Sequence, residues 1–233
     1  AMIAVMKLID QMRRRAARYL DTAAVTIAPP RGVFSLSFDD IPASAWTEAG
    51  PILAGHGIKA TYYVCGGLAG AVNMDRDQYR VEHLQALHAA GHEVGCHTFG
   101  HTSALRMSSE ALRLSLDANA AWVAERLDGY RMTTFAWPFG DATVGAKRIG
   151  REDRGLIKSI GLESRRLPDY DLEALMAASA AAKGWLTAYG HDVSDRPTDY
   201  GCTAEDLDRV LRLAKAAGLE VLPVGAAWAR VAQ

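Results

Sequence analysis

An alternation is the feature that most restricts how this chain can fold. Apolar, β-rich runs recur at Val33–Phe38, Ala60–Cys65, His92–Cys96, Thr133–Phe139, Leu156–Leu162, Trp185–Tyr189 and Leu219–Val224. Helical patterns fall between them, at Ala43–Gly55, Val81–Ala90, Ser108–Leu127, Asp171–Ala182 and Thr203–Ala217. Strand, helix, strand repeated along one chain predicts parallel strands joined by right-handed crossovers. A closed (β/α) barrel or an open doubly wound sheet would satisfy the pattern. Both place ligand sites at the carboxyl ends of the strands. Thr203-Ala204-Glu205-Asp206 resembles a capping box with Asp in place of Glu, and Gly218, Gly91 and Gly57 sit where left-handed caps close helices.

The 233 residues are 49% hydrophobic and 23% charged, enough for a sizeable core, and no repeat or low-complexity linker divides them. One domain over 1–233 is expected, with 1–30 as an N-terminal helical extension. The net charge of −1 supplies no field for holding nucleic acid, and no basic stripe with interleaved aromatics occurs. Cys65, Cys96 and Cys202 are odd in number and lack Cys-x-x-Cys spacing, so they read as free thiols, which fits a reducing compartment. No apolar run approaches the ~20 residues of a membrane span. The short apolar run Ile3–Ile9 precedes Arg13, Arg14, Arg15 and Arg18, the reverse of the order in a secretory signal, so the cytoplasm is the expected location. Met6, Ile9, Met12, Ala16 and Leu20 recur at close to a helical period. The arginines of that helix read as a solvated face, favoured by roughly three to one over contact with an anionic membrane surface.

The residues suited to chemistry fall at strand ends. Gly91-His92-Glu93-Val94-Gly95-Cys96-His97-Thr98-Phe99-Gly100-His101 runs out of a strand into two histidines four positions apart. One helical turn there would put both imidazoles on one face, about 5–6 Å apart at Cβ, a spacing that suits a shared divalent metal. A third ligand is wanted, and Val33–Phe38 ends in Asp39-Asp40. One carboxylate can bind the metal while its neighbour takes a proton from water, although a helix N-cap pair is the bland alternative. His191 closes the run Trp185–Tyr189 and reaches the same rim, whereas His56, His83, His88 and His92 lie in or beside helices and read as structural. Pro138 and Gly140 set a sharp turn after the fourth run. Trp137 and Phe139 there offer flat faces that suit a sugar ring, with ordinary core packing equally favoured for Trp137.

Four of these stretches together resemble the ordered motifs of the polysaccharide deacetylase family, which shares the NodB homology domain and is also called carbohydrate esterase family four. They are Ser37-Phe38-Asp39-Asp40, the His92 to His101 stretch, Phe135-Ala136-Trp137-Pro138-Phe139-Gly140, and Leu186 to His191. The resemblance covers about Val33 to Val224. It implies a distorted (β/α) barrel of about seven parallel strands and a divalent metal, usually zinc, with cobalt or manganese as substitutes. It implies Asp39 as general base, Asp40, His97 and His101 as metal ligands, the Phe139 backbone N–H as an oxyanion donor and His191 as general acid. Trp137, Pro138 and Tyr200 are the candidate substrate contacts.

Three departures accompany the match. Ala136 stands where the family often has an arginine that pairs with the base, leaving Arg165 or Arg166 as candidates to orient Asp39. The aspartate-rich motif that supports the catalytic histidine has no clear counterpart, with Asp169, Asp171 and Asp192 as possible stand-ins. Asp40-Ile41-Pro42 replaces the usual glycine-proline sequel. The expected activity is metal-dependent removal of N-acetyl groups from a sugar or polysaccharide. Hydrolysis of a small amide, imide or formyl group on the same scaffold, or a non-catalytic carbohydrate-binding barrel, are the alternatives.

Overall fold

The computed structural model describes residues 2–20, 27–150 and 159–231. Its strands in chain order are β1 (Val33–Asp39), β2 (Thr61–Val64), β3 (Val72–Asn73), β4 (Arg76–Asp77), β5 (Glu93–Cys96), β6 (Ser159–Gly161), β7 (Trp185–Gly190) and β8 (Glu220–Val221). The α-helices are α1 (Met2–Tyr19), α2 (Ser44–Thr47), α3 (Ala49–His56), α4 (Val81–Ala89), α5 (Ser109–Arg126), α6 (Val144–Gly150), α7 (Leu172–Ala181), α8 (Ala204–Ala216) and α9 (Val224–Val231).

Six strands form one parallel sheet in the order β5-β2-β1-β7-β6, with β8 also on β1. β1 pairs along its length with β7, while β8 takes the start of its other edge and β2 the end. Being central, β1 is buried on both faces. Phe34, Leu36 and Phe38 are inaccessible on one side, and small Ser35 and Ser37 line the other. Burying each of those large side chains is worth about 1.5–3 kcal/mol. Because side chains alternate along a strand, Asp39 continues the Ser35–Ser37 face. Among the described residues the sheet does not close, and β5 and β6 are its edges.

Several elements differ from the sequence expectation. The run Thr133–Phe139 pairs with β5 only at Phe135, through a single bridge to Cys96. Pro138 then has no N–H to donate, and Phe139 and Gly140 take positive φ, so a 3-10 turn replaces the strand. Ala43–Gly55 divides into α2 and α3, because the Pro51 ring cannot sit over the Thr47 carbonyl of a continuous helix. Leu219–Val224 shrinks to β8, since Pro223 ends it and α9 begins at Val224. Residues 156–158, the first part of the run Leu156–Leu162, lie outside the described residues. The small hairpin β3–β4 is an addition, turning through Met74 and Asp75 at φ 51 and 57.

α4, α5, α7 and α8 match their patterns to within a residue or two, α1 starts four residues before the expected Met6, α6 and α9 were not expected, and two predicted caps are in place. Thr203 Oγ1 accepts from the Asp206 N–H at 3.1 Å, and Gly218 closes α8 with φ 75. Gly95 has a different reason to be glycine. A Cβ there would lie 2.5 Å from the Tyr63 ring and 2.7 Å from Thr134 Oγ1, so β5 could not approach its neighbours.

Candidate active site

The carboxyl ends of β1 and β5 converge. Asp40 Oδ1 lies 2.9 Å from His101 Nε2 and 3.4 Å from His97 Nε2. One ligand atom from each of the three residues falls within 4.8 Å of the other two. Four ligands set tetrahedrally at zinc distances of 2.0–2.1 Å stand about 3.3 Å apart, so the trio is close to a preformed metal-binding face. Asp40 Oδ1 is buried yet makes no hydrogen bond of good geometry, an orphan that a cation would satisfy.

The histidines do not meet through a helical turn. Thr98 and His101 adopt φ 64 and 49, and the irregular loop between them folds His101 back over His97 with ring centroids 5.1 Å apart. Asp40 and Ile41 are also left-handed, at φ 61 and 58, which turns β1 sharply into the mouth. For a β-branched residue such as Ile41 that conformation is a true outlier, costing roughly 1–3 kcal/mol. Its fully buried side chain holds it there. Of the nine non-glycine residues with positive φ among the described residues, Asp40, Ile41, Thr98, His101 and Phe139 belong to these loops. Strain is concentrated where the ligands are placed.

His97 is 2% exposed, and its Nδ1 lies 2.9 Å from the Ala136 carbonyl oxygen. That contact places the proton on Nδ1 and leaves the Nε2 lone pair for a metal. A backbone carbonyl carries no side-chain signal, so this support was invisible in the sequence. Asn119 on α5 was missed as well. It is fully buried, accepts from Gly66 N–H at 2.8 Å and donates to the Val64 carbonyl, which also receives the His97 N–H. The loop after β2 and the first residue after β5 are thereby tied to one amide.

The electrostatics favour a positive charge at this point. Burial alone would raise the Asp40 carboxyl, but His101 and His97 outweigh it and hold it far below the usual carboxylate range. Burial opposes charge on His97, yet Asp40 and Asp39 raise its pKa overall. Asp39 is half-buried, with its Oδ1 closed off from solvent and without a partner. Burial pushes its carboxyl up, and although His97, His191 and His101 act the other way, they do not cancel the shift. A carboxylate raised in this way is a better proton acceptor near neutral pH.

The remaining candidates are arranged around these residues. His191 follows β7 with its Nδ1 buried and without a partner, and its ring is 5.7 Å from that of Tyr200, which is 41% exposed. Phe139 is exposed, φ 60, its ring 4.5 Å from His101. Trp137 packs at right angles on Phe135 and against the cluster of Ala104, Leu112 and Ala146, while Pro138 is buried. Neither arginine reaches Asp39. Arg165 donates to the Asp199 carbonyl and Arg166 to the Tyr170 hydroxyl. The three stand-in aspartates leave His191 Nδ1 unpaired too: Asp171 caps α7, Asp192 accepts from the Thr198 N–H and hydroxyl, and Asp169 sits in a 3-10 turn.

Residues 26–153, more than half of the chain, match the family described as polysaccharide deacetylase. This chain belongs to that family. Within the curated proteins it is 28% identical over 124 residues to chitin deacetylase 1 of Cryptococcus neoformans, covering 53% of this chain and 24% of that protein. It is 33% identical over 120 residues to the peptidoglycan-N-acetylmuramic acid deacetylase PdaC of Bacillus subtilis, covering 49% and 23%. The match thus spans about a quarter of the length of these relatives. Among solved structures, a mutant with restored enzymatic activity of a carbohydrate esterase family four pseudoenzyme from Bacillus anthracis superposes with a TM-score of 0.60. It is 18% identical, with 90% of this chain and 72% of that one covered. The deacetylase-family fold is α/β, with a parallel sheet flanked by helices. No described helix is long and apolar enough to cross a membrane.

Proposed function

We propose that the chain is a metal-dependent hydrolase that removes N-acetyl groups from an N-acetylated sugar or polysaccharide. The observation that carries this reading is the convergence of Asp40, His97 and His101 beside a half-buried Asp39 whose Oδ1 is closed off without a partner, at the carboxyl end of the sheet. Asp40 and the two Nε2 atoms would hold a divalent cation, zinc first and cobalt or manganese as substitutes. Such an ion supplies Lewis acidity toward the acetyl carbonyl and acidifies the attacking water.

Asp39 takes the proton of that water, for which its raised pKa suits it. The Phe139 backbone N–H steadies the oxyanion, and the left-handed turn of Phe139 sets its direction. His191 returns a proton to the leaving amine. Its influence on the Asp39 carboxyl fits a base and an acid that face one substrate. Tyr200, exposed beside His191, offers a flat face for a sugar ring, and Trp137 and Pro138 shape the turn on the other side. Cys65, Cys96 and Cys202, buried and in no disulfide, support the cytoplasm as the site of action.

The absence of an arginine beside Asp39 supports a second reading, in which a small amide, imide or formyl compound is the substrate. Acetate release from N-acetylated oligosaccharides, measured beside a panel of such small compounds with and without chelator, separates the two. Turnover only on the glycan, lost with chelator and restored by added zinc, is the expected result. Glycan binding without turnover on any compound would leave a carbohydrate-binding barrel instead.

A further inference from the structure

The helix α1 is docked with its polar side inward. Asp10, buried, pairs with Arg106 at 2.7 Å, and Arg14 pairs with the buried Asp141 at 2.6 Å. Ser103 also donates to Asp141 at 2.6 Å, and the buried Lys147 donates to the Ala17 carbonyl at 2.5 Å, closing the helix at its C-terminal end. These contacts fix the rotation of the helix about its axis.

The side turned away is apolar. Leu8, Tyr19, Met12, Val5, Ile9 and Leu20 all stand exposed, Met12 at 62% and Tyr19 at 73%. At 100° per residue they occupy an arc of about 120°, with Arg15 on one border and Arg13 on the other, beyond which Met6 is also exposed. In most surface helices such a stripe faces the core, and here the core contacts are taken by the opposite side. Lys7, Arg13 and Arg15 are exposed, and the one acidic residue of α1, Asp10, is already paired.

We infer that α1 is a docking surface for an anionic lipid membrane, lying in the plane of the interface with its apolar arc among the acyl chains. The bordering cations choose this occupant. An apolar arc bordered by Arg15 and Arg13 complements a layer of negative headgroups. A second copy of the helix would bring Arg13 and Arg15 against each other with no acid to receive them. The sequence pattern alone favoured a solvated arginine face. The structure changes the weighing, because it shows which side of the helix is used up. Arg106 and Asp141 lie a few residues from His101 and Phe139, so a docked α1 would hold the mouth of the site close to the lipid surface. The inference rests on α1 and does not depend on the deacetylase reading.

The test is flotation of the whole chain with vesicles of phosphatidylcholine alone and of equal parts phosphatidylcholine and phosphatidylglycerol. Binding to the mixed vesicles, weakened by salt and at least about tenfold stronger than to the neutral ones, is expected. Met12→Asp should abolish flotation with both, and Arg15→Glu should weaken binding to the mixed vesicles by about tenfold or more while sparing the neutral ones. Both positions are exposed, so circular dichroism and melting should be unchanged. Equal binding to the two vesicle types, or none to either, would overturn the proposal. A concentration-dependent dimer lost in Met12→Asp, with no flotation, would overturn it in favour of a second copy.

Discussion

The two ends of the parallel sheet use carboxylates in opposite ways. At the N-terminal end, where β5 begins, Glu93 is saturated: Thr61 donates to one oxygen at 2.7 Å, Thr134 to the other at 2.8 Å, and the Gly225 N–H adds a third bond at 2.9 Å. At the C-terminal end of the sheet, Asp39 Oδ1 is buried without a partner, and the buried Asp40 Oδ1 faces only the two histidine Nε2 atoms, with no hydrogen bond of good geometry. The histidines divide likewise. His92 sits at 4% exposure between Trp46 and Tyr62, its Nδ1 accepting the Ala60 N–H, while His97 and His101 face acids. Satisfied charge is architecture, and unsatisfied buried charge is a place reserved for a ligand or a proton.

That contrast can be broken by experiment. His97→Ala should lose bound metal by elemental analysis and at least ~10³-fold in turnover, the scale of losing an electrostatic stabiliser. If full activity remained, the rim would not be the chemical end. Asp39→Asn should retain its metal and fall about 10²–10⁴-fold in kcat; activity equal to the parent would remove Asp39 as the base.

At the other end the expected effects are on stability. Burial pushes the His92 pKa down from 6.5 to about 4, so the unfolded chain takes up a proton at pH values where the folded one does not. Its contribution is therefore complete above pH 6.5 and is lost as the pH falls toward 4, amounting to roughly 3 kcal/mol at the acid limit. Denaturant midpoints measured over that window should fall with pH, and should fall less in His92→Gln. Smallest of all, Glu93→Gln should cost about 1–2 kcal/mol in thermal unfolding with kcat unchanged, because an amide keeps only part of the network. A large loss of kcat in a folded Glu93→Gln protein would erase the distinction between the ends.

Much of this was legible residue by residue. Period-2 and period-3.6 patterns located β1, β2, β5, β7 and most helices, since local side-chain spacing is what buries a face. Asp39, Asp40, His97 and His101 stood out because metal-binding residue types ended apolar runs. Other elements had no local signal to read. The start of α9 lacks a capping residue of its own, because Glu93 and Thr61 receive its first N–H groups from far away in sequence. The convergence of His97 and His101 was anticipated through a helical turn and is achieved by left-handed residues, a choice settled by packing around the loop. The expected fourth strand failed because one bridge to Cys96 was all its edge position allowed before Pro138.

By itself, then, the order of residues determined the alternation of elements, the apolar arc of α1 and the chemical types waiting at the strand ends. All of these depend on neighbours within one or two turns. Only the tertiary structure decided which carboxylates found donors, which side of α1 was consumed in docking, and which carbonyl holds the His97 ring. Those outcomes depend on partners tens of residues apart, and a buried polar group is satisfied or left waiting only once the chain has closed around it.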